Sequence, residues 1–229
     1  MTRSIPIDTV ASGIPPYATV LFDLDGTLTD PLDGIANALA YALDKLGRPP
    51  VDRGTVARLI GPPYTDGYVR ILGMTPAEAE ETIAVYREYY TDRGLFENSL
   101  YDGILELLTG LADAGVRCAV ATSKPTVYAD RIIDHFGLRD LVAFVGGATL
   151  DGKRSLKADV VAHVLTELGD PARGSTMMVG DRHHDVIGAA AHGIGCIGAL
   201  WGYGTEAELV DAGAIAVAES PKALSLLLA

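Results

Sequence analysis

Seven polar residues could carry chemistry in this sequence: Asp23 and Asp25 in "VLFDLDGT", Thr122 and Ser123 in "ATSKP", Lys157 in "RSLKADVV", and Asp181 and Asp185 in "VGDRHHD". Asp23 and Asp25 fall on one side of an extended chain, where two like charges repel unless something positive lies between them. An Asp-Gly pair is an ordinary turn, but a turn explains one such strand end and not three together. The chemistry that suits this set is phosphoryl transfer. Mg²⁺ takes oxygen ligands and uses one or two carboxylates beside phosphate oxygens and waters. Asp23 and Asp181 can supply those carboxylates, and the ion removes the repulsion. A carboxylate placed in line can attack phosphorus and form an aspartyl-phosphate. Asp25 can protonate the leaving oxygen and later deprotonate the attacking water. Thr122, Ser123 and Lys157 can hold the non-reacting oxygens, with Lys157 offsetting charge in the transition state.

These residues converge only if the elements carrying them do. Short apolar runs predict strands over 18–23, 116–121, 142–145, 175–179, 194–198 and 214–217. Amphipathic spacing predicts helices over 102–114, 126–136, 157–168, 184–192, 205–212 and 221–228. Strand and helix in regular alternation is the pattern of an α/β, doubly wound parallel sheet. Such sheets bind ligands outside the carboxyl ends of their strands, where the polar residues stand. Residues 31–99 read differently. "LDGIANALAYALDKLG" is helical and stops at Gly47, before Pro49 and Pro50. "TPAEAEETIAVYREYYTDRG" opens with Thr75 as N-cap and Pro76 at the first helical position. Tyr86, Tyr89 and Tyr90 follow helical spacing and read as packing. The expected organisation is a core of residues 18–30 and 100–229, an all-helical insertion of 31–99 after the first strand, and an N-terminal extension of 1–17.

Bulk properties narrow the class. A chain of 229 residues, 48% of them hydrophobic, can bury the core of one domain with an insertion or of two modest domains. A net charge of -12, with no Lys/Arg run longer than two, argues against nucleic-acid and membrane-surface partners. The expected partner is a small-molecule phosphate ester. No apolar stretch reaches the roughly 18 residues of a membrane span, and "MTRSIPIDTVASGIPPY" has no secretory pattern. Cys118 and Cys196 lie in apolar strand-like runs and read as buried thiols, so a cytoplasmic location is expected.

At these motifs the sequence resembles the haloacid-dehalogenase superfamily of phosphohydrolases. Its DxDGT motif is matched by Asp23-Leu24-Asp25-Gly26-Thr27 and its GDxxxD motif by Gly180-Asp181-Arg182-His183-His184-Asp185. The Thr or Ser of its second motif looks like Thr122, and the lysine of its third looks like Lys157. The resemblance runs through nearly the whole chain from residue 18 and is greatest to the phosphoglycolate-phosphatase-like branch, through "YDGI", "ATSKP", "GDRHHDVIGA" and "WGYGTEAELVDAGA". It implies a Rossmann-like core with a helical cap and a Mg²⁺-dependent phosphatase acting on a small phosphomonoester. It further implies metal ligation by Asp23, Asp25 and Asp181. Asp185 either touches the metal or holds Lys157 or a metal-bound water. A phosphotransferase or mutase using the same Asp23, and a non-enzymatic regulatory module, are the rival readings.

Other candidates carry less. "GIGCIG" at 193–198 spells GxGxxG but follows a helix and reads as a strand, the reverse of a dinucleotide site. "GATLDGKR" at 147–154 nearly spells a P-loop, yet Arg154 stands where Ser or Thr must be. Lys153 rivals Lys157, with placement at a helix start favouring Lys157. Adjacent His183 and His184 point about 100° apart on a helix, so both seldom reach one ion. Arg58 and Arg70 in the insertion could hold a substrate anion, against the commoner reading of solvated charges.

Overall fold

The computed structural model describes residues 16–61 and 64–229. Most of the expected N-terminal extension, 1–17, therefore lies outside the described residues. Strand β1, Thr19–Phe22, is buried along its whole length, as an apolar run covered on both faces must be. Its residues alternate between two cores: Val20 and Phe22 pack on one face, Leu21 on the other. β2 is Thr29–Asp30 and β3 is Ser99–Leu100; they pair antiparallel. β4 is Arg117–Pro125, β5 Val145–Ala148, β6 Thr176–Gly180, β7 Gly195–Ala199 and β8 Ala216–Ala218. The main sheet is six-stranded and parallel, in the order β5-β4-β1-β6-β7-β8. Counted by chain order within that sheet this is 3-2-1-4-5-6, a doubly wound Rossmann-like arrangement whose direction switches at β1.

Between β2 and β3 the described residues carry helices and loops, with Ser99 already in β3. α1 is Leu32–Lys45, α2 Arg53–Ala57, α3 Tyr64–Leu72 and α4 Pro76–Tyr89, followed by a π-helical turn over Tyr90–Gly94. α4 starts where expected, because the Thr75 hydroxyl accepts from the Glu78 N–H while the Glu78 carboxylate accepts from the Thr75 N–H. β2 and β3 have no sequence signal, since two residues are too few to show a period. They tie the two ends of the insertion together beside β1.

The remaining helices are α5 (Ile104–Asp113), α6 (Thr126–His135), α7 (Lys157–Glu167), α8 (His183–Ala190), α9 (Glu206–Asp211) and α10 (Pro221–Leu228). All six lie within two residues of expectation. Two strands moved more. β5 begins at Val145 rather than 142, because a 3₁₀ turn over Arg139–Leu141 delays its entry into the sheet. β4 runs to Pro125, four residues beyond the expected end, with its register against β5 shifting between Thr122 and Pro125. A bulge of this kind re-aims side chains at a strand end. No helix among the described residues is long and apolar enough to cross a membrane.

Candidate active site

The sheet brings the ends of β1, β4 and β6 side by side. Asp23, one residue past β1, is 3% exposed. Its Oδ1 accepts from the Leu24 N–H at 2.7 Å and pairs with the Lys157 ammonium at 3.0 Å. No hydrogen bond from the described residues reaches its Oδ2. Lys157 opens α7 and reaches back under the strand ends. It pairs with Asp185 Oδ1 at 2.7 Å and donates to the Ala121 carbonyl at 3.0 Å. Burial alone would depress this ammonium, but Asp185 and Asp23 outweigh it and hold it above the ordinary lysine value. Lys153 points away, 86% exposed beside Asp151, so Lys157 is the lysine at the site.

Asp25 is placed differently from Asp23. Its Oδ2 pairs with the Lys124 ammonium at 2.8 Å, while its Oδ1 is buried with no hydrogen-bond partner among the described residues. Burial pushes the Asp25 carboxyl up, opposed by Lys124. Lys124 rides on the β4 bulge beyond Thr122, whose Oγ1 accepts the Lys124 N–H at 3.2 Å. Lys124 leaves no mark in the sequence, where a lysine in "TSKP" is indistinguishable from a solvated turn charge. It is 6% exposed, and burying a lysine calls for a partner. Asp25 is that partner.

Asp181 and Asp185 are fully buried at the end of β6 and the start of α8. One carboxylate oxygen each from Asp23, Asp181 and Asp185 lie within 4.8 Å of one another. Burial, Asp185 and Asp23 push the Asp181 carboxyl far up. Its partners are modest: the Tyr203 N–H on Oδ2 at 2.8 Å and the Thr27 hydroxyl on Oδ1 at 3.3 Å. Three packed carboxylates sharing one lysine are under-neutralised, and an all-oxygen set suits a hard divalent cation such as Mg²⁺. The residues present fit that ion. The expected set of Asp23, Asp25 and Asp181 differs from this cluster in one member: the Asp25 carboxylate turns to Lys124, and Asp185 takes the third place.

Backbone without side chains makes room for this packing. Gly26 has φ +83°, and a Cβ there would sit 2.3 Å from Asp181 Oδ2. Gly202 is equally tight, because its Cβ would meet the Gly26 carbonyl at 2.2 Å. The "WGYG" loop after β7 thus closes over motif residues, with the Trp201 indole donating to the Thr27 carbonyl at 2.9 Å.

A cleft opens over Asp23, Asp25, Thr122, Ser123 and Lys124. Ile35, Ile60, Ile83 and Arg87 from the insertion face it. Arg58 and Arg70 do not. Arg58 donates to the Thr55 hydroxyl, and Arg70 is 80% exposed beside Asp66. The guanidinium at the cleft is Arg87, which sequence alone could not separate from other exposed helix charges. His183 and His184 stay outside the carboxylate cluster, as expected, but their rings do not splay. The centroids lie 3.8 Å apart, and His183 Nδ1 meets Glu208 Oε1 at 2.6 Å. The "GIGCIG" run is strand β7, and Arg154 of the P-loop-like run donates to the Gly147 carbonyl. Both cysteines are buried free thiols.

The haloacid dehalogenase-like hydrolase family model matches residues 20–199. The chain is 46% identical over 192 residues to the tyrosine-protein kinase PtkA of Mycobacterium tuberculosis, covering 84% of this chain and 65% of that protein. It is 42% identical over 193 residues to a 5'-nucleotidase of Pseudomonas aeruginosa, covering 84% and 87%. The crystal structure of a predicted phosphatase from Clostridium acetobutylicum superposes with a TM-score of 0.87 at 38% identity, over 92% of this chain and 97% of that one. The matched segment, the strand order and the motif geometry agree: the chain belongs to the haloacid dehalogenase-like hydrolase family, in its phosphatase-like branch.

Proposed function

We propose that this protein hydrolyses a small phosphomonoester through an aspartyl-phosphate on Asp23, with Mg²⁺ as cofactor. One observation carries the reading: two carboxylates two residues apart are held by two different buried lysines, Asp23 by Lys157 and Asp25 by Lys124. That separation gives them different tasks. Asp23 Oδ2, free of hydrogen bonds from the described residues, attacks phosphorus. As the bond from phosphorus to the leaving oxygen breaks, its electron pair stays on that oxygen, which takes a proton from Asp25. Burial favours the protonated form of Asp25 that this step uses. A water then attacks the phosphorus of the aspartyl-phosphate and gives its proton to Asp25, which frees Asp23 and inorganic phosphate. Thr122 and Ser123 line the cleft and hold the non-reacting oxygens during both steps, while Lys157 supplies positive charge from behind Asp23. Asp23 and Asp181, with Asp185 beside them, would hold Mg²⁺, which when bound supplies positive charge to the phosphoryl oxygens.

The helical insertion acts as a cap over this site, hinged near residues 29–33 and 97–103. It lays Ile35, Ile60, Ile83 and Arg87 against the leaving group and keeps bulk water out. Nucleotides head the candidate substrates because of the 42% identity to a 5'-nucleotidase, ahead of phosphoglycolate-like and sugar phosphates. A second reading, transfer of the phosphoryl group to an acceptor other than water, rests on the 46% identity to a protein named as a tyrosine kinase. Both readings share Asp23 and differ in product. The test is a phosphate-release screen over phosphometabolites, run after EDTA treatment with and without added Mg²⁺. Release that depends on Mg²⁺ and vanishes in Asp23→Asn supports the proposal. Release undiminished in metal-stripped enzyme, or a phosphorylated acceptor with no free phosphate, contradicts it.

A further inference from the structure

The insertion reaches the general acid's side of the cleft through Tyr90. This residue begins the π-helical turn after α4, and it is 1% exposed. Single π-helical turns inside helices often mark functional positions. The Tyr90 hydroxyl accepts a short hydrogen bond from the Lys124 ammonium, which pairs at the same time with Asp25 Oδ2 at 2.8 Å. The nitrogen stands 5.1 Å from the ring centroid, out beyond the hydroxyl edge, so the contact is made by the hydroxyl and not by the ring face. Tyr90 itself is fixed on three sides. Its ring stacks on Tyr86 at 5.0 Å and meets the edge of Tyr128 at 5.8 Å. The next residue, Thr91, is bound to α6 through its carbonyl, which accepts from Arg131 at 2.8 Å, and through its hydroxyl at 3.3 Å from Tyr128 Oη. The turn is therefore anchored to the core, and the hydroxyl it presents to Lys124 cannot drift.

A lysine ammonium is a compact charge on a flexible four-carbon stem with three donors. Left to itself, the Lys124 head could move to Oδ1 of Asp25, or into the cleft towards Asp23. Either move would release the Asp25 carboxyl from the orientation in which Lys124 holds it. We propose that Tyr90 is a positioning residue for the reaction: its hydroxyl holds Lys124 on Asp25 Oδ2, and so fixes the orientation of the carboxyl that protonates the leaving oxygen. This inference rests on the assignment of Asp25 as general acid. It adds a residue from the insertion that acts through Lys124 without touching substrate.

The experiment compares Tyr90→Phe with the wild type on two esters. Phenylalanine keeps the stacked and edge contacts and removes only the hydroxyl. An alkyl phosphate needs its leaving oxygen protonated, whereas p-nitrophenyl phosphate departs as a stable anion and needs little acid help. Tyr90→Phe should lower kcat on the alkyl ester about tenfold or more, below the full worth of a general acid. It should lower kcat on p-nitrophenyl phosphate less than about threefold, with KM on both esters little changed. In a Lys124→Gln background, adding Tyr90→Phe should cost nothing further, since coupled residues are not additive. A ¹⁵N-detected signal of the Lys124 ammonium provides a readout without turnover: it should be protected in the wild type and lost in Tyr90→Phe. Equal losses on both esters, full additivity with Lys124→Gln, or an unchanged ammonium signal would overturn the inference. A wild type that releases phosphate from no ester would refute the phosphatase reading instead, and the ammonium signal would still decide the role of Tyr90.

Discussion

At the residue scale, the site is a problem of charge. Asp23, Asp25, Asp181 and Asp185 crowd four carboxylates around two lysines, all but Asp25 almost fully buried. Buried charges persist only when paired or metal-bound. Asp23 and Asp185 pair with Lys157 and Asp25 with Lys124, while Asp181 has only the Tyr203 N–H and the Thr27 hydroxyl. Asp23→Asn keeps the shape and removes the attacking oxygen, so steady-state phosphate release should fall by at least about a thousandfold. A variant retaining a tenth of the activity would sink the covalent mechanism. The cation facing the leaving group makes a second, independent prediction. Arg87→Gln should raise KM for anionic leaving groups by about tenfold, while Arg58→Gln and Arg70→Gln, both away from the cleft, should change it less than twofold. Kinetics on the three variants with one substrate panel check this directly.

The same residues explain how much of the site was legible in the sequence. Asp23 and Asp181 were readable because a charge ending a buried strand is costly and therefore conspicuous. Lys157 was readable because it opens a helix after such a strand. Lys124 was not, since the bulge that turns it inward depends on the pairing of β4 with β5 and leaves no local mark. Tyr90 was read as packing from its helical spacing. That reading was right for the ring, which stacks on Tyr86, and silent on the hydroxyl. Arg58 and Arg70 were chosen by residue type alone, and an exposed helix has no sequence signal for which charge faces a cleft.

At the scale of elements, the sheet was legible and the joints were not. Apolar runs of four or five residues placed β1, β6 and β7 within two residues at either end. The two-residue strands β2 and β3 carry no pattern, yet they fix where the insertion leaves the core. The loop after β7 and the start of α8 form a second joint. The Arg182 guanidinium donates from Nε to Glu208 of α9 and from Nη1 to the Ile60 carbonyl of the insertion. Burial alone would raise the Glu208 carboxyl, but the His183 N–H, the His183 ring and Arg182 outweigh it and hold it at about 2. A carboxylate depressed in the folded state contributes stability that is present above its unfolded value, near 4.3, and lost as pH falls towards 2. Glu208→Gln should therefore flatten the acid side of the stability profile between about pH 4.5 and pH 2, measured by denaturant unfolding. An unchanged profile would mean the contact contributes nothing. The turn after β1 yields a further prediction. Gly26→Ala places a Cβ against Asp181 from a left-handed backbone, which should destabilise the fold by at least about 1–2 kcal/mol from conformation alone. It should also weaken Mg²⁺ binding measured by calorimetry; wild-type affinity with wild-type stability would contradict the tight packing described.

At the scale of the whole molecule, insertion and sheet are not separable pieces. Leu39 and Tyr86 of the insertion belong to the same apolar core as Val20 and Phe22 of β1. Removing residues 31–99 would uncover that face, so substitutions at Ile83 or Arg87 are the cleaner way to ask what the insertion selects. A net charge of -12 around an anionic substrate also gives the cation a whole-molecule role, since it lowers the local negative potential where the ester must enter. The proposed mechanism turns on a covalent bond to one residue, Asp23. In Asp25→Asn the acid and base are gone while Asp23 keeps its place, so an activated ester should phosphorylate the enzyme faster than water can clear it. Mapping the phosphoryl group in that variant by borohydride trapping and peptide mass spectrometry tests the claim most directly. Asp23 is expected to carry the label; label on any other residue, or hydrolysis proceeding with no labelled enzyme at all, would contradict the covalent mechanism.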